Sequence, residues 1–370
     1  MRILLSNASG KWGGVHKVTE VLARGLQARG HEVVTLARAG SILEQRMRGV
    51  TAVEPVLGGM DFHPLVFSRI ALALRHHRPD VLVALMKKDV RQAVPVARLM
   101  RIPTLVRHAN DQALRPGAYH RFLYGYLPTH HVTNAEATRR TLLASAPYLR
   151  ASDISVIYNG IDPSPFDQAQ PLDLELPPAA IAVGYVGSLE PRKGMLDLAR
   201  AWPRVTEGDP SAHLVIIGSG TQEAKLRAAL DGAERVRWIG HRKDVPSVMK
   251  SLDLLVLPSH VEGAPNVVLE AMAAGLPVVA TAVSGTPELV QEGVTGDLVP
   301  PRAPDRLATA ILTLVRDQQR RRAMGRAARA RVEREFRLDA MIDRYEALLD
   351  AVRRRLTTSE TLLPTLPAAR

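Results

Sequence analysis

Glu262-Gly263-Ala264-Pro265-Asn266-Val267-Val268-Leu269-Glu270 sets two glutamates eight positions apart, where a short apolar run meets a helical segment. Residues 254–257 ahead of it, Leu-Leu-Val-Leu, read as a buried strand, and residues 268–274 read as a helix. The first carboxylate is therefore expected on the loop and the second inside the helix. A helix opening near Pro265 turns its amide N–H groups and the positive end of its dipole toward the loop, which suits a phosphate group. Glu270, about a turn further in, is placed to accept both hydrogens of a ribose cis-diol, while Glu262 faces whatever lies beyond the phosphates. These features outline a nucleotide-sugar site. Taken alone, the pair would also suit a capped helix with Glu262 near its N-terminus and Glu270 in solvent.

Other stretches decide between the two readings. In order along the chain they are the glycine loop at Gly13-Gly14, Asn159-Gly160-Ile161-Asp162, Gly187-Ser188-Leu189-Glu190-Pro191-Arg192-Lys193-Gly194, Ile217-Gly218-Ser219-Gly220 and Ile239-Gly240-His241. With these in register, the chain resembles the family-4 retaining glycosyltransferases, whose signature is E-x7-E and whose fold is GT-B. Ala271-Met272-Ala273-Ala274-Gly275-Leu276-Pro277-Val278-Val279-Ala280-Thr281 resembles the family's helix-turn-strand continuation. The resemblance covers nearly the whole chain. It implies an α/β protein of two Rossmann-like doubly wound domains facing across a cleft.

Composition agrees with two domains: 370 residues are too many for one small core, and 46% are hydrophobic. There is no cysteine, which excludes disulfides, thiolate metal sites and cysteine nucleophiles. The amino terminus lacks a signal-peptide core, and no later segment reaches the roughly 18 uninterrupted apolar residues of a membrane-spanning helix; residues 93–106 are broken by Arg98 and Arg101. A cytoplasmic protein is expected, with peripheral contact to the inner face of the membrane as an option. Of the net charge of +12, residues 1–162 contribute 22 Lys+Arg against 11 Asp+Glu, and the remainder 27 against 26. The basic half also holds 9 of the 12 histidines. Such an asymmetry fits an anionic membrane surface or an acidic acceptor, or else arginine-rich composition without a patch. With 4% aromatic residues and no nucleic-acid-binding motif, nucleic acid is not expected as a partner.

The first half alternates strands and helices: residues 2–6, 32–37, 81–85, 104–106, 131–133 and 154–157 read as strands, and 14–29 as a helix buried through Val15, Val18, Val21, Leu22 and Leu26. A domain is expected over 1–162, with the acceptor. Prolines 163, 165, 171, 177 and 178 mark a linker over 163–180. Strands at 181–186, 214–217, 236–239, 254–257, 277–280 and 296–299 then define a donor-binding domain over 181–340. Residues 305–355 read as a long arginine-rich helical region, with Arg320-Arg321-Arg322 on a solvated face in preference to a membrane-binding one. In the resembled fold, a last helix at 341–356 packs back on the first domain. Residues 357–370 read as a mobile tail.

Breaking the bond between an anomeric carbon and a diphosphate leaves negative charge on phosphate oxygens. A metal on an Asp-x-Asp motif can neutralise it, but that tripeptide is absent. Fixed cations and helix N-termini are the other solution. Arg192 and Lys193, on a loop between strand and helix, match the family's basic pair at the diphosphate; an exposed turn is their alternative reading. Gly13 and Gly14 follow the first strand, where missing side chains admit close approach of backbone to a ligand. Lys11, Trp12 and His16 border that loop without an assigned role. The resemblance implies that His108, just after a strand, approaches the donor sugar, for positioning or proton handling. Asn110 and Asp111 are candidates for acceptor hydroxyls. Gly218, His241 and Arg242 lie on loops expected to recognise the base. Asn159-Gly160 reads as a turn or hinge.

The expected protein is a retaining, metal-independent hexosyltransferase. It uses a nucleotide diphosphate sugar as co-substrate, UDP-sugar favoured over GDP and ADP, and needs no cofactor. Glu270 would hold ribose. Glu262 and the amides of Ala264, Pro265's follower Asn266 and Val267 would hold sugar hydroxyls. The acceptor would be a glycan or lipid-linked molecule, as in cell-envelope polysaccharide or lipopolysaccharide synthesis. The rival readings are a sugar-nucleotide epimerase of the same fold and a non-enzymatic anionic-surface binding protein.

Overall fold

The computed structural model describes residues 1–10 and 13–354, so Lys11, Trp12 and the expected tail at 357–370 lie outside the described residues. The chain divides into two compact units, Met1–Asn159 with the segment from Asp339 onward, and Gly160–Leu338.

Unit 1 is built on a parallel sheet of seven strands: β1 (Arg2–Asn7), β2 (Glu32–Arg38), β3 (Ala52–Leu57), β4 (Val81–Ala84), β5 (Thr104–His108), β6 (His130–Thr133) and β7 (Ile154–Val156). Their spatial order is β3-β2-β1-β4-β5-β6-β7. Continuous apolar runs such as Ile3-Leu4-Leu5 and Val81-Leu82-Val83 are fully buried, as strands covered on both faces require. The helix Gly14–Ala28 buries Val18, Leu22 and Leu26. In the final helix, Leu338–Arg354, Ile342, Tyr345, Leu349 and Val352 are buried. Arg107 ties it in, its Nε donating to the Tyr345 hydroxyl at 3.1 Å and a terminal nitrogen to Asn159 Oδ1 at 2.8 Å.

Unit 2 holds a six-stranded parallel sheet: β8 (Ile181–Val186), β9 (Ala212–Ile217), β10 (Val236–Gly240), β11 (Leu254–Leu257), β12 (Val278–Thr281) and β13 (Gly296–Val299), in the order β10-β9-β8-β11-β12-β13. Each sheet reverses direction of growth once, between β1 and β4 in unit 1 and between β8 and β11 in unit 2. Ligands of such sheets bind beyond the carboxyl ends of the strands at that reversal.

Four features differ from the expectation. β3 is absent from the sequence reading because Glu54 and Pro55 interrupt it; proline is tolerated there because β3 lies at the sheet edge. The division falls at Asn159 and Leu338, not after Asp162 and 340. Ile161 forms a parallel bridge with Arg337 and exchanges backbone hydrogen bonds with Phe336 and Leu338, which assigns it to unit 2. The expected linker at 163–180 contains the helix Ser164–Gln168, and it is anchored by buried Phe166 and Leu174 and by Asp167, which takes both terminal nitrogens of Arg329 at 2.8 and 2.7 Å. Its prolines limit regular structure to that one short helix without making the segment free. The C-terminal region is helical as expected, in three helices, Pro304–Arg316, Gln318–Glu335 and Leu338–Arg354, but its arginine run is not wholly solvated. Within the arginine run, Arg321 is buried and donates to the carbonyls of Leu314 and Val315, both at 2.6 Å, while Arg320 binds Asp297 at 2.8 Å.

Candidate active site

In unit 2 the loop after β8 and the loop after β11 flank the sheet reversal, and one carboxylate joins them. Glu262 is buried, and its Oε1 accepts from Lys193 Nζ at 2.5 Å and from Ser259 Oγ at 2.6 Å. Its Oε2 accepts from Arg192 at 3.3 Å. The fold requires this meeting. Backbone bonds hold the loops together, with the His260 amide donating to the Arg192 carbonyl at 2.7 Å. Gly194 has φ +65°, and a Cβ there would sit 1.9 Å from the Pro258 carbonyl oxygen, so only glycine allows the approach. Thr281 bonds the Ser259 carbonyl, the Gly285 amide bonds the Gly263 carbonyl at 2.9 Å, and Ser284 Oγ accepts from the Glu262 amide at 3.3 Å.

The two cations differ in their surroundings. Lys193 is buried, and desolvation pushes its ammonium below the ordinary lysine range; Glu262 opposes that shift and Arg192 adds to it. The Arg192 side chain is 43% exposed and donates to the Val261 carbonyl as well as to Glu262. The helix Asn266–Ala273 begins directly after Pro265, whose extended backbone caps it. Glu270 lies on the buried face of this helix, 8% exposed, not in solvent as a plain capped helix would have it. Ala264 and Pro265 are buried, and Asn266 and Val267 are half-buried on the first turn.

At the ends of the neighbouring strands, Gly218 follows β9 with φ +148°, and a Cβ would lie 1.8 Å from the Gly187 carbonyl oxygen. Its missing side chain is needed for contact between the two loops. His241 is exposed after β10. Arg242 is half-buried, and its guanidinium is engaged by Asp244 at 2.9 and 2.7 Å.

The remaining sequence-selected residues lie in unit 1. Gly13 and Gly14 are exposed at the start of the helix that follows β1, and no atom crowds a Cβ placed on Gly13. His108 ends β5, half-buried, with Nε2 at 3.0 Å from His131 Nδ1. Burial, then electrostatic interaction with His131, Lys87 and Arg107, hold its imidazole well below the ordinary histidine range. Asn110 is exposed. Asp111 is half-buried, and its Oδ1 is buried without a hydrogen-bond partner among the described residues.

Several residues of these loops escaped the sequence reading. Asp89, fully buried after β4, accepts from the amides of Ala8 at 2.8 Å, Leu85 at 3.1 Å and Met86 at 2.7 Å, and so joins the loops across the reversal in unit 1. Burial pushes its carboxyl up to about 7. An acid in the first turn of a helix after a strand was its only signal. Ser259 and Ser284 carried none, since serines in loops are common. Among the described residues no group of three or more His, Asp or Glu is placed to hold a metal ion.

Residues 12–165 match the family model described as Glycosyltransferase Family 4, and residues 180–317 the model described as Glycosyl transferases group 1. A GDP-mannose-dependent monoacylated alpha-(1-6)-phosphatidylinositol monomannoside mannosyltransferase of Corynebacterium glutamicum is 33% identical over 210 residues, 52% of this chain and 55% of that protein. The match thus spans about half the length of that relative. A glycogen synthase of Mycobacterium tuberculosis is 28% identical over 373 residues, 88% of this chain and 87% of its own. Among solved structures, Anabaena HepE in complex with UDP-glucose superimposes with a TM-score of 0.82 at 23% identity, covering 95% of this chain and 100% of that one. That likeness shows the GT-B fold.

Proposed function

Because this chain belongs to glycosyltransferase family 4, we propose that it moves a hexose, with retention of anomeric configuration and without a metal, from a nucleoside diphosphate sugar to a glycan or lipid-linked acceptor. The observation that carries this reading is the convergence of Lys193, Arg192 and Ser259 on Glu262 at the reversal of the second sheet. A leaving diphosphate develops charge where cations are already fixed, so little reorganisation accompanies bond cleavage. Arg192 reaches the phosphates from the exposed side, and Lys193 supplies a desolvated positive charge.

Glu262 has both oxygens engaged by donors, which makes it a poor nucleophile. That supports a mechanism without a covalent glycosyl-enzyme. The acceptor oxygen attacks the face that the diphosphate leaves, and the departing phosphate oxygen takes the acceptor proton. Glu262 and the amides of Ala264, Asn266 and Val267 orient the sugar hydroxyls, Glu270 the ribose diol, and the loops carrying Gly218, His241 and Arg242 the base. In unit 1, the Gly13-Gly14 loop and His108 serve the transferred sugar, and Asn110 and Asp111 the acceptor.

UDP is the favoured nucleotide, on the family resemblance and the UDP-glucose held by HepE; the mannosyltransferase relative's GDP-mannose makes GDP the alternative. Calorimetry with UDP and GDP tests the site. Replacing Glu270 by Ala is expected to weaken the preferred nucleotide at least tenfold, and unchanged affinity would remove Glu270 from the site.

A lipid-linked acceptor at an anionic membrane, as in envelope glycan synthesis, draws support from one face of unit 1. Met60, Phe62, Leu65, Tyr119, Phe122 and Tyr126 are exposed there, with Phe62 and Tyr119 ring centroids 6.2 Å apart and Arg98 5.8 Å above the Tyr126 ring. Apolar side chains interleaved with cations suit a bilayer interface.

A further inference from the structure

His108 meets a neighbour whose proton is forced. His131 Nε2 lies 2.8 Å from the carbonyl oxygen of Tyr124, and a carbonyl can only accept, so this nitrogen carries the hydrogen. The carbonyl is available for a reason visible in the chain: the residue four positions on, whose amide an α-helix would supply, is Pro128, which has none. The chain there runs as a π-helix, Arg121–Tyr126, closed by the Leu127 amide on the Phe122 carbonyl at 3.2 Å.

His131 is 2% exposed, and among the described residues no carboxylate bonds its ring, Asp153 acting on it only through its charge. Burial lowers its pKa to about 4, so the ring is neutral near neutral pH. Its Nδ1 is then a lone pair. That lone pair faces His108 Nε2 at 3.0 Å across β5 and β6, where two bare nitrogens would repel, so His108 Nε2 must donate. In a neutral His108 ring the remaining nitrogen, Nδ1, is an acceptor, and it makes no hydrogen bond among the described residues.

We infer that His131 is a positioning residue that holds His108 in the Nε2–H tautomer, so that His108 accepts, and does not donate, a hydrogen bond from a substrate hydroxyl. This rests on the reading of His108 as a substrate-facing group; the tautomer itself does not.

Long-range 1H–15N correlation spectra of the histidine-labelled protein test it. Wild type is expected to show His108 as the Nε2–H tautomer. His131→Leu is expected to release it to a mixture or to Nδ1–H and to lower kcat at least tenfold, with donor KM within twofold. His131→Gln, whose amide can accept from His108 and donate to the Tyr124 carbonyl, is expected to restore both. An Nδ1–H tautomer in wild type would overturn the inference, even if His131→Leu fails to fold. So would a folded His131→Leu with unchanged tautomer and kcat. A wild type that turns over no nucleotide sugar while showing the Nε2–H tautomer would count against the enzymatic reading and leave the positioning role standing.

Discussion

Single groups in this protein titrate in opposite directions. His131, held near 4 by burial, binds its proton more weakly folded than unfolded, where the ordinary value is near 6.5. The unfolded chain therefore takes up more protons between pH 4 and 6.5. The contribution of His131 is present above 6.5 and is lost as pH falls through 4. Asp89, raised to about 7, works the other way: its contribution is present below about 4 and is lost as pH rises through 7. His131→Gln isolates the first effect. In urea denaturation, the stability difference between wild type and this variant should shift by about 3 kcal/mol against wild type from pH 6.5 to pH 4. A pH-independent difference would mean that His131 binds its proton as readily in the folded protein as in the unfolded chain.

At the level of elements, what could be foreseen followed how closely local chemistry agreed with the fold. Runs such as Leu254 to Leu257 and the buried face of the helix Gly14–Ala28 were legible because apolar periodicity and burial coincide. β3 was not, because a proline at a sheet edge carries no signal distinguishing it from a loop. The basic pair and the two glutamates were legible as residues, but their partners were not: Ser259 and Ser284 acquire meaning only when β8, β11 and β12 bring their loops together. Arg321 shows the same limit. In sequence it belongs to a charged run; in the fold it satisfies the last carbonyls of the helix Pro304–Arg316. Arg321→Ala should cost unit 2 about 2 kcal/mol, read from the urea midpoint, whereas Arg322→Ala, at an exposed position, should change it by under about 0.5 kcal/mol. Equal effects would contradict the capping role.

For the molecule as a whole, both units use a parallel sheet that reverses once, and in each a buried carboxylate joins the two loops beside the reversal: Asp89 in unit 1 and Glu262 in unit 2. The charge does not follow that symmetry, since residues 1–162 carry nearly the whole surplus. Among the described residues no helix is long and apolar enough to cross a membrane. Co-sedimentation with phosphatidylglycerol vesicles is expected, weakening as salt rises from 50 to 500 mM, on the order of Debye screening, and reduced by Phe122→Ser with Tyr126→Ser. Binding that ignores salt, or vesicles of neutral lipid that serve equally well, would count against a role for the basic surplus of residues 1–162.

If the cations beside Glu262 hold the donor diphosphate, Arg192 is the one to remove, because its exposed side chain can be cut back without opening the core. Calorimetric titration of UDP and GDP into wild type and Arg192→Ala is the measurement. A loss of about ten- to hundredfold in affinity for the nucleotide that wild type binds is predicted, as expected for a charge-assisted hydrogen bond to phosphate. Equal affinity in the two proteins would contradict it.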